Sequence, residues 1–348
     1  MNTPGRGDSR VRAYLHFIIA VLYYFVARGL ALRSAQALAG DQWVPLVTQA
    51  LLAFLLLFGY AAMGFWLNRQ MRPISEQGLP ARDGSRREVG LGFVIGWGLA
   101  VACVLPLALI GGIAISISFT ASSWEWFAID AAFFFFAALA EEIAFRGYGF
   151  QRFVRAVGPF GGALGFAAYY AIVQSIMPGS SRTTFCVSLA VGLLLSAAYL
   201  RTKALWVGWG LNFAWKASRA LLFGLAVNGV NSYSPVVQGN PMGPFWVTGG
   251  GYGVEGSWVT FILVIAALPV LFRLTRDLDY RYNAPVLAPG GIPVDLNAAA
   301  QAQHNAAMGN HQPDAPALVQ IGPVPAAWPP QAAKPERAED LEPSGDSF

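Results

Sequence analysis

Two adjacent glutamates followed by an arginine, set in an otherwise apolar run, are the groups in this chain best suited to chemistry. The run reads Ala140-Glu141-Glu142-Ile143-Ala144-Phe145-Arg146 and follows the phenylalanines at positions 133–136. Charged groups inside apolar helices are costly, so each needs a partner or a purpose. On a helix Glu142 and Arg146 stack on one face with the acid on the N-terminal side, the favourable order for an ion pair. Glu141 lies about 100° round the helix, outside that register. One carboxylate can therefore be neutralised while the other meets a water as a general base. The alternative is a buried ion-pair cluster that only fixes helix packing, and spacing alone leaves both open. Downstream, Asn212, Lys216 and Arg219 recur at spacings of four and three and are expected to line one helix face. Asp130 falls on nearly the same face as Glu141 but about 16 Å away along the axis, and reads as a solvated end residue. His16 reads as a satisfied packing residue. Cys103 and Cys186 read as small buried hydrophobes rather than a disulfide or metal pair. With no His or Cys cluster beside the glutamates, neither a cofactor nor a metal is expected.

The elements that must hold these groups are hydrophobic helices. The 348 residues are 55% hydrophobic and 12% charged, about half the charge of a soluble domain, so the lipid bilayer is the expected solvent. Apolar runs long enough for spanning helices, about 20 residues each, lie at 13–32, 43–67, 89–117, 124–146, 160–177, 184–200, 204–226 and 257–272. The expected fold is all-α: a polytopic membrane bundle of about eight transmembrane helices with a disordered C-terminal tail. Basic residues cluster in alternate loops: Arg6, Arg10 and Arg12; Arg69, Arg72, Arg82, Arg86 and Arg87; Arg152 and Arg155; Arg201 and Lys203; Arg273, Arg276 and Arg281. The intervening loops hold only Arg33 and Arg182, and the segment 227–256 has no Lys or Arg. This alternation predicts a multi-pass chain with both termini cytoplasmic. It also explains the net charge of +4 without a nucleic-acid partner, and none is expected. The organisation is a cytoplasmic N-terminus over 1–12, two leading helices and a basic loop over 13–88, a core over 89–274, and an Ala/Pro-rich tail over 283–348 that includes His304 and His311. The Gly-rich stretch 239–256 reads as a loop with aromatic anchors capping the outer face of the bundle. No cleavable signal peptide is expected. The Arg-heavy, Lys-poor composition points to a GC-rich bacterial genome, hence a bacterial plasma (inner) membrane.

The motif Glu-Glu-x-x-x-Arg followed by Gly-Tyr-Gly-Phe-Gln-Arg-Phe resembles the first signature of the CAAX-protease and bacteriocin-processing family of intramembrane endopeptidases. Residues 164–174 (LGFAAYYAIVQ) are similar to its second motif, an aromatic residue, three residues and a histidine. Residues 204–216 (ALWVGWGLNFAWK) are similar to the third, His-x-x-x-Asn. Segment 223–256 is similar to an extension found in one bacterial branch, and the likeness covers residues 89–272. The resemblance implies a helical bundle in which Glu141 is the catalytic glutamate, activating water for attack on a peptide bond. It also implies that the face carrying Asn212 and Lys216 meets the helix of Glu141, bringing Lys216 to that carboxylate. The chain departs from the pattern at Gln174 (second-motif histidine), Asn212 (third-motif histidine) and Lys216 (third-motif asparagine). Gln174 does not titrate but can orient water, Asn212 can donate to an oxyanion, and Glu142 and Arg146 fall in supporting places.

Two functions of different classes follow. One is an endopeptidase acting on a membrane-proximal peptide or prenylated-protein-like substrate, weakened or inactivated by the lost histidines. The other is a pseudoprotease that binds a membrane protein or peptide in an immunity or regulatory role. A transporter is a third reading, and it would predict an inverted repeat that the sequence does not show.

Overall fold

Apolar runs become helices because only an intra-segment hydrogen-bonded backbone is tolerated in lipid, and here they do so over most of the chain. The computed structural model describes residues 6–234 and 236–282; the predicted tail 283–348, with His304 and His311, lies outside the described residues. Chain contacts separate Met1–Ala284 from Pro285–Phe348, and every described residue belongs to the first unit. The elements are α1 (Arg6–Leu38), α2 (Val44–Asn68), α3 (Pro73–Glu76), α4 (Ser85–Leu109), β1 (Ile113–Ile117), α5 (Ala121–Arg146), α6 (Tyr148–Val157), α7 (Pro159–Ser175), α8 (Arg182–Thr202) and α9 (Trp206–Ala217). They continue with β2 (Val237–Pro241), α10 (Phe245–Thr248), α11 (Trp258–Leu274) and α12 (Arg276–Tyr282). Four stretches, Arg10–Leu38, Val44–Asn68, Ser85–Leu109 and Arg182–Thr202, are long and apolar enough to cross a membrane, and α11 is a shorter apolar helix. The chain is an all-α membrane helix bundle. The helices α5, α7 and α9 fall on the expected runs 124–146, 160–177 and 204–226.

Small residues set how closely the helices approach, as expected where lipid offers no hydrophobic drive to associate. Ala13, Ala20, Ala27, Ala31 and Ala35 form the buried seam of α1, whereas Leu15, Leu22, Val26 and Leu30 face outward. Across that seam, the Tyr23 hydroxyl donates to the Leu55 carbonyl of α2 (2.6 Å) and Tyr60 to the Ala20 carbonyl (3.2 Å). A close crossing joins α4 to α9. A Cβ at Gly92 would stand 2.0 Å from the Val207 carbonyl oxygen, one at Gly96 2.2 Å from that of Leu211, and one at Gly210 2.1 Å from that of Val89. These glycines let two backbones touch, and the contact fixes the rotation of α9 and so the direction of Asn212 and Lys216.

The structure corrects the expected run 89–117. Helix α4 stops at Leu109, and Gly111, with φ 77°, turns the chain into β1. The alternating Ile113-Ala-Ile-Ser-Ile has the two-residue period of a strand, and it pairs antiparallel with β2, Ile113 opposite Pro241 and Ile117 opposite Val237. The Gly-rich stretch is likewise more ordered than a plain loop, since it contains part of β2, α10 and two single 3-10 turns, Gly250–Tyr252 and Val254–Gly256.

Candidate functional site

Helix α5 begins at a Thr120 cap, whose hydroxyl accepts from the Ser123 amide at 3.3 Å. It ends at Gly147, where a Cβ would stand 2.3 Å from the Ile143 carbonyl oxygen. Its last two turns carry Glu141, Glu142 and Arg146. The Arg146 guanidinium donates to Glu142 at 3.1 Å, the two side chains being 1% and 0% exposed. Its Nη2 reaches the Gly192 carbonyl of α8 at 3.5 Å, and the guanidinium lies 5.7 Å from the ring centres of both Phe145 and Tyr170. Space for Glu142 comes from Gly208 of α9, where a Cβ would meet Oε2 at 2.5 Å.

From α9, Asn212 Nδ2 donates to Glu141 Oε2 at 3.0 Å and to Glu142 Oε1 at 3.4 Å. One turn on, Lys216 Nζ donates to Glu141 Oε1 at 2.5 Å. Two acids and two bases therefore meet in one cluster of zero net charge, bridged by an amide. Within it the Glu141 side chain is 27% exposed, whereas that of Lys216 is 4% exposed. Three buried atoms, Glu142 Oε2, Arg146 Nε and Asn212 Oδ1, make no hydrogen bond among the described residues. Chemically, the cluster holds one accessible carboxylate, a neutral donor beside it and an ammonium that stabilises the ionised form.

Five of the six predicted site residues are thus together: Glu141, Glu142, Arg146, Asn212 and Lys216. Gln174 is buried on α7, but among the described residues no hydrogen bond ties it to either glutamate. Its side chain lies near the Tyr170 hydroxyl, and its carbonyl accepts from the Tyr252 hydroxyl at 3.2 Å. Tyr170 stands within electrostatic reach of both Glu141 and Glu255.

Two sequence expectations need correction. Arg219 does not continue the face of Asn212 and Lys216 toward α5, because residues Ser218–Leu222 form a π-helical turn that shifts the register. Arg219 instead contacts Glu255 at 2.8 Å and lies 4.1 Å over the Trp215 ring, and the Trp215 indole donates to the same carboxylate at 2.8 Å. This buried group was missed. Its only sequence signal is an acid, Glu255, inside a long segment without Lys or Arg. Asp130, in turn, is not simply solvated. It is half-buried and accepts the Ser234 amide at 2.7 Å, holding the loop after α9 to α5. His16 is half-buried near Asn68, whose amide donates to the Tyr148 hydroxyl and accepts from Arg152.

Residues 123–218 match the family model described as Type II CAAX prenyl endopeptidase Rce1-like. No curated protein and no solved structure matches. The matched stretch is narrower than 89–272 but contains all three motifs, from Glu141 to Lys216, and it supports assignment to the CAAX-protease and bacteriocin-processing family.

Proposed function

With that endopeptidase family as premise, we propose that this chain is an intramembrane-endopeptidase-like protein that holds a membrane-proximal peptide or prenylated-protein-like segment, with hydrolysis weakened or lost. The observation that carries this reading is the Lys216–Glu141 ion pair. Lysine occupies the position of the third-motif asparagine, and its ammonium sits on the carboxylate that would have to take a proton from water. A carboxylate paired in this way is a poorer base. Neither motif histidine is present to compensate, and Gln174 faces Tyr170. Charge balance across Glu141, Glu142, Arg146 and Lys216 is what a stable polar core inside a bundle requires.

A second reading keeps residual catalysis, and one observation favours it: Glu141 is the least buried member of the cluster and has the Asn212 amide beside it. In that case Glu141 activates water and Asn212 donates to the oxyanion, with Glu142 and Arg146 fixing the helix end. With no motif histidine to share the proton transfer, even this enzyme is slow. For either reading we place the chain as a multi-pass protein of a bacterial plasma membrane with both termini cytoplasmic, supported by the alternation of basic loops.

The deciding experiment is cleavage of a mixed peptide and prenyl-peptide library by protein in lipid nanodiscs, read by mass spectrometry. Wild type runs beside Glu141→Gln and the restoration Gln174→His/Asn212→His/Lys216→Asn. The binding reading expects no products from wild type and their appearance in the triple variant. Products from wild type that vanish in Glu141→Gln would establish the residual enzyme instead.

A further inference from the structure

A cavity of about 400 Å³ lies at the end of the bundle where α2 and α5 begin, lined by Gln42, Pro45, Trp126, Asp130, Phe133 and Tyr233 among others. It is distinct from the glutamate cluster, which sits roughly 16 Å further along α5. Trp126, Asp130 and Phe133 recur at spacings of four and three, so they share one face of that helix. The Tyr233 ring packs against Phe133 and Phe134 at centroid distances of 6.3 Å and 4.9 Å. Burial pushes its phenol up to about 12, so the ring stays neutral.

Asp130 is the unexplained group. One carboxylate oxygen accepts the Ser234 amide; the other makes no hydrogen bond among the described residues. No ion pair involves this carboxylate among the described residues, no lining residue is basic, and the loop that closes the cavity lacks Lys and Arg. A half-buried anion in an aromatic frame is costly without a counter-charge. Aromatic faces are themselves attractive to cations, most of all to diffuse alkylammonium groups. A lone carboxylate is too few oxygens for a hard divalent ion, which takes six or more.

We propose that this cavity binds an organic ammonium, with Asp130 as counter-ion and Trp126, Phe133 and Tyr233 as the aromatic walls. Trp43 and Trp124, exposed 39% and 49%, stand at the ends of the same two helices, the place of an interfacial aromatic belt. Phospholipid amine headgroups lie at that level, and small soluble amines reach it from water. The shared chemistry is an alkylammonium, primary or quaternary.

The test uses the full chain. Detergent-purified protein is titrated calorimetrically with ethanolamine and with choline. In parallel, nanodiscs containing phosphatidylethanolamine and phosphatidylglycerol are analysed by native mass spectrometry for retained lipid. Asp130→Asn removes the charge but keeps an oxygen to accept the Ser234 amide. It should weaken amine binding by about tenfold or more, the scale of a lost charge-assisted contact. Trp126→Leu and Phe133→Leu should each weaken it severalfold, and they read the same site if Asp130→Asn misfolds. Retention of phosphatidylethanolamine over phosphatidylglycerol, lost in Asp130→Asn, assigns the lipid headgroup. Saturable binding of free amine without that retention assigns a soluble amine. No saturable amine binding together with no selective retention overturns the proposal, as does equal binding by wild type and all three variants.

Discussion

Replacing Lys216 by methionine isolates the interaction on which the functional reading turns. Methionine keeps most of the volume of the lysine stem, so the change removes charge without opening a large cavity. Removing one partner of a fully buried ion pair costs about 3–5 kcal/mol, because the other charge is left stranded. Here Lys216 is 4% exposed but Glu141 is 27% exposed, so the stranded charge is not fully enclosed. Asn212 also continues to donate to Glu141, a hydrogen bond to a charged group worth about 1.5–3 kcal/mol. The expected loss for Lys216→Met is therefore about 2–4 kcal/mol. Glu141→Gln/Lys216→Met removes both charges and should recover much of this, giving a coupling energy of at least about 1.5 kcal/mol in the double-mutant cycle. Reversible unfolding by SDS in mixed micelles, followed by far-UV circular dichroism, measures all four proteins. A cost below about 0.5 kcal/mol for Lys216→Met, or a coupling near zero, would refute the view that this ammonium neutralises Glu141. The case for a suppressed base would fall with it.

Two further outcomes follow from the same packing. Glu142→Gln should destabilise by about 3 kcal/mol, because it strands Arg146, which is 1% exposed and pairs with no other carboxylate among the described residues; the same unfolding assay would reject this if the variant cost less than about 1 kcal/mol. Gly96→Ala should cost about 2 kcal/mol, since its Cβ would stand 2.2 Å from the Leu211 carbonyl oxygen and α4 cannot yield without leaving α9. Gly98→Ala, whose Cβ meets nothing within 4 Å, should instead gain about 0.5 kcal/mol from helix propensity, and paired melting curves in detergent decide whether the signs differ.

The helices and the Glu142–Arg146 pair were readable in advance because both belong to one segment of chain. Apolar length selects a helix in lipid, and the helical repeat places residues four apart on one face wherever the helix goes. The meeting of Lys216 and Asn212 with Glu141 needed the family resemblance, since nothing in the spacing of α9 says which neighbour its polar face will meet. Other features needed the tertiary structure alone. Arg219 left the expected face because a π-helical turn rotated it onto Glu255. Residues 113–117 became a strand because β2, more than a hundred residues away, was there to accept its hydrogen bonds. Gln174 turned toward Tyr170, and Asp130 took up the amide of Ser234. Sequence periodicity is set by the backbone of a single helix, whereas partners across the bundle depend on helix rotation and approach. In this protein those are decided where Gly92, Gly96 and Gly210 bring α4 and α9 into backbone contact.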